Sequence, residues 1–567
     1  MGATLMFAGP ACELSDVGDD GIVSPEDDIP EYETPGDSDS LPVQTEVRTE
    51  RELVEGWMNS EEARTWMRET GTDSDTMLAL LASTDRGQRG VTARRAGTSH
   101  GARLQITDPA ADMPSLHAEA VISVADAVGD IAAAVARAGF ATLADVTGTD
   151  GNDLLIGTDI ADTINGLGGR DTILGAGGPD AIDGGDGIDR ASYDGGTMGV
   201  TVNLICGVGT GGDAEGDTLV NVENLRGSDF DDFLVGDSNR NSIIGGPGND
   251  DIRGGENRDT LEGGAGADAF RGGGDFDYVS YANSPSGVVA NLVTGGTGGD
   301  ATGDTFNGVE SLRGSNFNDT LVGTSGNNQF LGAGGNDNIN GGAGDDFIIG
   351  GVGGDVLNGG NGIDWAIYSS STAGVTVNLT SGAASGGEAA GDSLTSIENL
   401  RGSNFNDNLT GNSIPNVLIA AAGDDVMSGL GGDDSFIGGA GADTMNGGED
   451  EDTVSYDGAP GAVSVNLATQ TVSQAAGSNA GGDAVGDSIS GMEGAVGTAF
   501  DDTLIGGPDE NFLNGGVGGN DILDGAGEAD TASFSLSSKN WTISLVAGSG
   551  VADDGETDTL ISIENVV

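Results

Sequence analysis

Residues 148–192 read GTDGNDLLI, GTDIADTIN, GLGGRDTIL, GAGGPDAID and GGDGIDRAS, five unbroken segments of nine. Each carries Asp at its sixth place: Asp153, Asp162, Asp171, Asp180 and Asp189. Four carry a large apolar residue at the eighth: Leu155, Ile164, Ile173 and Ile182. The block recurs. Six nonads start at Gly227, with Asp232, Asp250, Asp259, Asp268 and Asp277 at the sixth place. Six start at Gly314, with Asp319, Asp337, Asp346, Asp355 and Asp364. Six start at Gly402, with Asp407, Asp425, Asp434, Asp443 and Asp452. Four start at Gly497, with Asp502, Asp521 and Asp530, and one of these (GGVGGNDILD) is a residue longer. The total is 27 units of the form G-G-x-G-x-D-x-U-x, where U is apolar.

This spacing has a physical reading. Glycine tolerates positive φ and close backbone approach, so the first six residues can form a tight turn. The last three form a short strand, in which U faces inward and its neighbours outward. Two nonads close a coil of about 18 residues, and coils stack at about 4.8 Å, the spacing between strands. One coil buries almost nothing, whereas a stack buries a ladder of Leu, Ile, Val and Phe. Stacking also sets the aspartates in columns, Asp153 near Asp171 and Asp162 near Asp180. Two unit charges about 4.8 Å apart repel by roughly 0.9 kcal/mol in bulk water and roughly 3.5 kcal/mol at an effective dielectric near 20. A dozen such pairs cost on the order of 10–40 kcal/mol, against a net domain stability of about 5–15 kcal/mol. Ionised columns therefore need cations between them. Carboxylates and turn carbonyls form an oxygen-only site, which suits calcium better than the tighter octahedron of magnesium. Zinc calls for His or Cys, and the array has no histidine.

The nonads resemble the hemolysin-type calcium-binding repeats of the repeats-in-toxin (RTX) family. The resemblance covers residues 148–567 and rests on contiguous register rather than on any single nonad. It implies a right-handed parallel β-roll with calcium between successive turns, and export by a type I system through an uncleaved C-terminal signal. The closing segment DTLISIENVV is acidic and apolar enough to serve as such a signal. One ion between turns one coil apart gives 17 sites over the five blocks, within a range of 15–20 calcium ions for the chain. The fold class expected is all-β, a roll in five modules preceded by a small, mainly helical N-terminal region.

A longer period overlays the nonads. Each block is followed by an insert that opens on an aromatic: Tyr193, Tyr281, Tyr368, Tyr456 or Phe534. An alternating strand follows, such as VTVNL from residue 200, then an acidic turn, then a segment such as LTSIENLRGS. The modules predicted are 148–226, 227–313, 314–401, 402–496 and 497–567. The acidic turns pair Asp213 with Asp217, Asp300 with Asp304, Glu388 with Asp392 and Asp483 with Asp487. They read as further calcium sites or as solvated turns. The aromatics read as core plugs where roll meets insert. The second nonad of each later block has Asn in place of Asp: Asn241, Asn328, Asn416 and Asn511. Asn offers an oxygen without charge, so sites there should be weak or absent. The nonad of Asp425 begins with three alanines, which leaves its turn in question.

Composition narrows the function. The 567 residues include 105 glycines and 92 acids against 20 Lys and Arg, a net charge of −72. A nucleic-acid partner needs a basic face, so none is expected. No run of 18 apolar residues exists, so no transmembrane segment is expected. Two cysteines supply no disulfide framework. Residues 1–45 hold a leader-like start, MGATLMFAGPAC, without a basic n-region, and an acidic linker. Residues 46–147 form the N-terminal region, with helices predicted over 50–83 and 115–138. GTSHG at 97–101 matches G-x-S-x-G but lacks the strand and helix that a nucleophile elbow requires. No H-E-x-x-H occurs. The chain thus reads as an extracellular, calcium-binding, non-enzymatic protein with a structural, adhesive or matrix role, partnered by cell-surface glycans or other copies of itself. The alternatives are an exported enzyme or toxin with its activity in residues 46–147, and a carbohydrate-binding accessory protein.

Overall fold

The computed structural model describes residues 145–474, 483–537 and 539–567. The predicted helices over 50–83 and 115–138, the segment 1–45 and GTSHG lie outside these residues. What is described is all-β, apart from three helical turns of three residues each. It divides into two compact units: one runs to Ser280 and includes Gly303–Val309, the other holds Tyr281–Thr302 and Glu310–Val567.

In the first unit the coil repeat is 18 residues. Strand Leu154–Ile156 lies parallel to Thr172–Leu174, with Leu155 against Ile173. Strand Thr163–Asn165 lies parallel to Ala181–Asp183, with Ile164 against Ile182. Alternate nonads therefore fall in two different sheets, and the eighth-place residues of both face inward. Ile164, Ile173, Ile243, Ile252 and Leu261 are fully buried. Among the described residues the roll starts with strand Asp145–Thr147, ahead of Gly148, which pairs with Thr163–Asn165.

The second unit repeats the plan. Leu418, Phe436 and Val454 stack in register on one side, and Leu409, Met427 and Met445 on the other. Glycine is required at particular points where the turns of neighbouring coils touch. A Cβ on Gly353 would stand 1.6 Å from the carbonyl oxygen of Gly335, so no other residue fits without opening the stack.

The inserts are built into both sheets, unequally. In the first unit one sheet gains a single strand, Asn224–Arg226, between Arg190–Ser192 and Ser242–Ile244. The other gains three. Thr218–Val220 lies parallel to Ala181–Asp183. Val208–Thr210 runs backwards beside it, and Thr201–Asn203 pairs antiparallel with that strand and parallel with Phe233–Val235. The chain thus jumps ahead, returns through a reversed strand and then rejoins the roll. The same order recurs in the second unit, through Ser393–Thr395, Ala383–Ser385 and Thr376–Asn378. It recurs again through Ser488–Ser490, Thr471–Gln474 and Val463–Asn466. Tyr193, Tyr281, Tyr368 and Tyr456 are 1–3% exposed: they are core plugs and not an exposed aromatic surface.

Phe436 is fully buried, and truncating a buried Phe to Ala costs about 3–5 kcal/mol. Phe436→Ala is expected to lose that much in guanidinium unfolding at saturating calcium. A loss under about 1 kcal/mol, far below that range, would show that the ladder is not close-packed.

Candidate metal centres

The 23 sixth-place aspartates are all buried, none more than 5% exposed. The columns predicted from the spacing form as hydrogen-bonded ladders. The backbone N–H of Asp153 donates to Asp171 Oδ1 at 2.8 Å, and that of Asp171 to Asp189 Oδ1 at 2.7 Å. The same bond links Asp250 to Asp268, Asp346 to Asp364 and Asp434 to Asp452 at 2.8–2.9 Å. From Asp171 onward one carboxylate oxygen of each aspartate is held by a backbone N–H of the coil or insert before it, whereas Asp162 Oδ1 is buried without a partner. The other oxygen divides the aspartates into two groups.

In the first group the turn closes on its own aspartate. Asp153, Asp162, Asp232, Asp319, Asp407 and Asp502 each have Ser or Thr at the second place of the nonad. The N–H of that residue donates to Oδ2 at 2.5–2.7 Å, and its hydroxyl donates to the same carboxylate. In the second group the second-place residue takes a left-handed conformation, as in Leu167 at φ 76° and Gly342 at φ 112°. That rotation turns its N–H away from the aspartate. Oδ2 then has no hydrogen-bond partner although it is buried. This holds for Asp171, Asp180 and Asp189 in the first block and for Asp250 and Asp259 in the second. It holds for Asp337, Asp346, Asp355 and Asp364, for Asp425, Asp434, Asp443 and Asp452, and for Asp530. Asp268, Asp277 and Asp521 sit in turns of this second form, with Gly264, Gly273 and Gly516 at φ 99°, 127° and 107°. The alanine-rich nonad of Asp425 adopts it too, through Ala421 at φ 87°.

The ladders extend into the inserts. Asp217, Asp304, Asp392 and Asp487 of the acidic turns join one column, accepting N–H bonds from Asp180, Asp268, Asp355 and Asp443 at 2.8–2.9 Å. Their partners Asp213, Asp300 and Glu388 stay outside it, in the turns Gly212–Ala214, Gly299–Ala301 and Gly387–Ala389. Asp558, which the repeat spacing does not single out, takes the same place behind Asp521. Glutamates enter the other column unannounced. Glu223, Glu398, Glu493 and Glu564 accept the N–H groups of Asp189, Asp364, Asp452 and Asp530 at 2.7–3.1 Å. The signal for both was the offset: Asp558-Thr-Leu and Glu223-Asn-Leu repeat the D-x-U step of a nonad without the glycines of its first two places.

The four asparagines now have a cause. Each follows an insert glutamate by one coil, and its Nδ2 donates to that residue's backbone carbonyl. The distances are 2.6 Å for Asn241 to Glu223, 3.0 Å for Asn328 to Glu310, 2.6 Å for Asn416 to Glu398 and 3.0 Å for Asn511 to Glu493. A carboxylate has no proton for that bond.

Electrostatics follow the geometry. Burial pushes Asp250 up to about 8, against the N–H bond from Asp232, and the carboxylates of Asp268 and Asp232 add to the rise. Burial likewise lifts Asp337, Asp346, Asp355 and Asp443 to about 7, with neighbouring carboxylates contributing. Main-chain oxygens crowd the same places. A Cβ on Gly166 would meet both Asp171 Oδ2 and the carbonyl oxygen of Gly184, at 2.3 and 2.1 Å. Among the described residues no three His, Cys, Asp or Glu side chains cluster as a metal site. An ion here would be held by one or two carboxylates and otherwise by backbone carbonyls. Buried anionic oxygens without donors, facing further oxygens, fit a hard divalent cation.

These features define a parallel β-roll whose turns carry oxygen-only cation sites. The RTX calcium-binding nonapeptide repeat matches residues 147–182, 156–191, 226–261, 244–279, 304–339, 331–366, 401–436, 419–454 and 496–532, and the chain belongs to that family. No curated protein matches it.

The raised values fix the sign of a pH effect. Without metal, the folded roll binds protons more tightly than the unfolded chain, whose aspartates titrate near 3.9. The stability of the metal-free roll is therefore full below about 4 and is lost as pH rises through about 6–8. In chelator, circular dichroism should show more β structure at pH 5 than at pH 8, and saturating calcium should remove the difference. Equal structure at both pH values in chelator would contradict the assignment.

Proposed function

We propose that this protein is exported and works outside the cell as a calcium-dependent structural element with an adhesive or matrix role and no catalysis of its own. The observation that carries this is the set of buried aspartate oxygens without hydrogen-bond donors. They make the roll unstable at neutral pH until cations arrive, and metal-free compartments then hold the chain unfolded. Calcium is low in the cytosol and high outside, so folding is coupled to leaving the cell. The ions lodge in the left-handed turns. The Ser- and Thr-closed turns of Asp232, Asp319, Asp407 and Asp502 need none, since both oxygens of each carboxylate already have donors.

Circular dichroism of the full chain at pH 7.5, titrated from chelator to millimolar calcium, tests the reading. A cooperative gain of β structure is expected, and no gain would sink it. Asp346→Asn should lower the calcium stoichiometry, whereas Asp319→Asn should leave it unchanged. Equal losses in both would remove the distinction between the two turns.

A further inference from the structure

The buried tyrosines do more than fill space. The Tyr193 hydroxyl donates to Asp217 Oδ2 at 3.1 Å, that of Tyr368 to Asp392 Oδ2 at 3.1 Å, and that of Tyr456 to Asp487 Oδ2 at 2.9 Å. These aspartates are the insert members of the column. The phenol supplies the donor that a cation would otherwise have to replace, so it ends the run of metal-demanding carboxylates.

The last insert departs from this. Phe534 holds the tyrosine's place in the backbone. Its N–H donates to Val567 O, as Tyr193 N–H does to Arg226 O and Tyr368 N–H to Arg401 O, across the same 33 residues. Asp558 follows it by 24 residues, the offset of Asp217 from Tyr193 and of Asp392 from Tyr368. Phe has no hydroxyl, and its half-buried ring lies against Trp541, with centroids 4.7 Å apart. Asp521 and Asp558 are each 2% exposed. Asp521 Oδ1 accepts the N–H of Asp502, and Asp558 Oδ1 accepts the N–H of Asp521. Nothing among the described residues donates to either Oδ2. The Glu556 carboxylate adds negative potential at both but is itself paired with Lys539. Lys539, the nearby cation, is bonded to Glu556 and Asp554 rather than to this pair.

We propose that Asp521 and Asp558 hold a calcium ion at a position that the tyrosine hydroxyl fills in the inserts of Tyr193, Tyr368 and Tyr456. The inference rests on the calcium-dependent reading above. It assigns to the last insert a metal site that the repeat pattern does not contain, and it makes one aromatic residue the selector between phenol and ion.

The test is calcium stoichiometry of the full chain at saturating calcium, by native mass spectrometry, with circular dichroism on each variant. Phe534→Tyr restores the donor and is expected to bind one ion fewer than the natural chain. Tyr456→Phe removes a donor next to Asp487 and is expected to bind one more. Unchanged stoichiometry in both variants overturns the proposal while leaving calcium-dependent folding intact. A natural chain that binds no calcium overturns the underlying reading instead. Should Phe534→Tyr fail to fold, Tyr456→Phe decides alone, a gain of one ion supporting the proposal and no gain overturning it.

Discussion

Stacking identical turns one coil apart leaves every aspartate with an oxygen that the backbone ladder cannot satisfy. The first oxygen takes the N–H of the preceding coil, as Asp171 Oδ1 does from Asp153. The second faces inward, among carbonyl oxygens of like sign, with no water-exposed route to relief. Among the described residues three remedies occur. A Ser or Thr turn supplies its own N–H and hydroxyl, as at Asp232. A tyrosine supplies a phenol, as at Asp217. Elsewhere the oxygen is left for a cation. The order of these remedies gives the blocks from Gly314 and Gly402 their plan: closed turns at the start, open turns through the body, and a tyrosine-bound aspartate and a glutamate after them.

That plan also sets what a substitution means. Leu167 and Ala176 hold left-handed conformations that cost a non-glycine residue energy. The surrounding coils impose that strain because the turn must keep its N–H away from the aspartate. A closed turn at the same place would be easier for the backbone and would have no use for metal.

The nine-residue period, the 18-residue coil, the inward eighth residue and the aspartate columns could all be read from spacing, because each is a local rule repeated many times. The contrast between Ser403 and Gly439 at the second place was in plain sight too. A consensus conceals it, since averaging the nonads treats both as turn residues. Glu223 and Asp558 escaped for a different reason: they keep the D-x-U offset but lose the glycines that mark a nonad. The role of Asn416 could not be read at all, because its partner is the backbone of Glu398, which carries no side-chain signature. Nor could the reversed strand Val208–Thr210, whose neighbours Thr201–Asn203 and Thr218–Val220 are themselves placed by pairing with distant nonads.

The reversed strands have a consequence for fidelity. Nonads are nearly interchangeable, so a block that slid by one coil against its neighbours would still set Leu on Ile and Asp on Asp, and little but its ends would protest. Register is weakly specified whenever alternatives look alike. A backward strand breaks that degeneracy. Thr210, Gly209 and Val208 pair antiparallel with Thr201, Val202 and Asn203, a match that no nonad can offer in any frame. An insert with such a strand therefore acts as a fixed mark on a ruler of identical divisions, and a slip in the block before it cannot pass into the next.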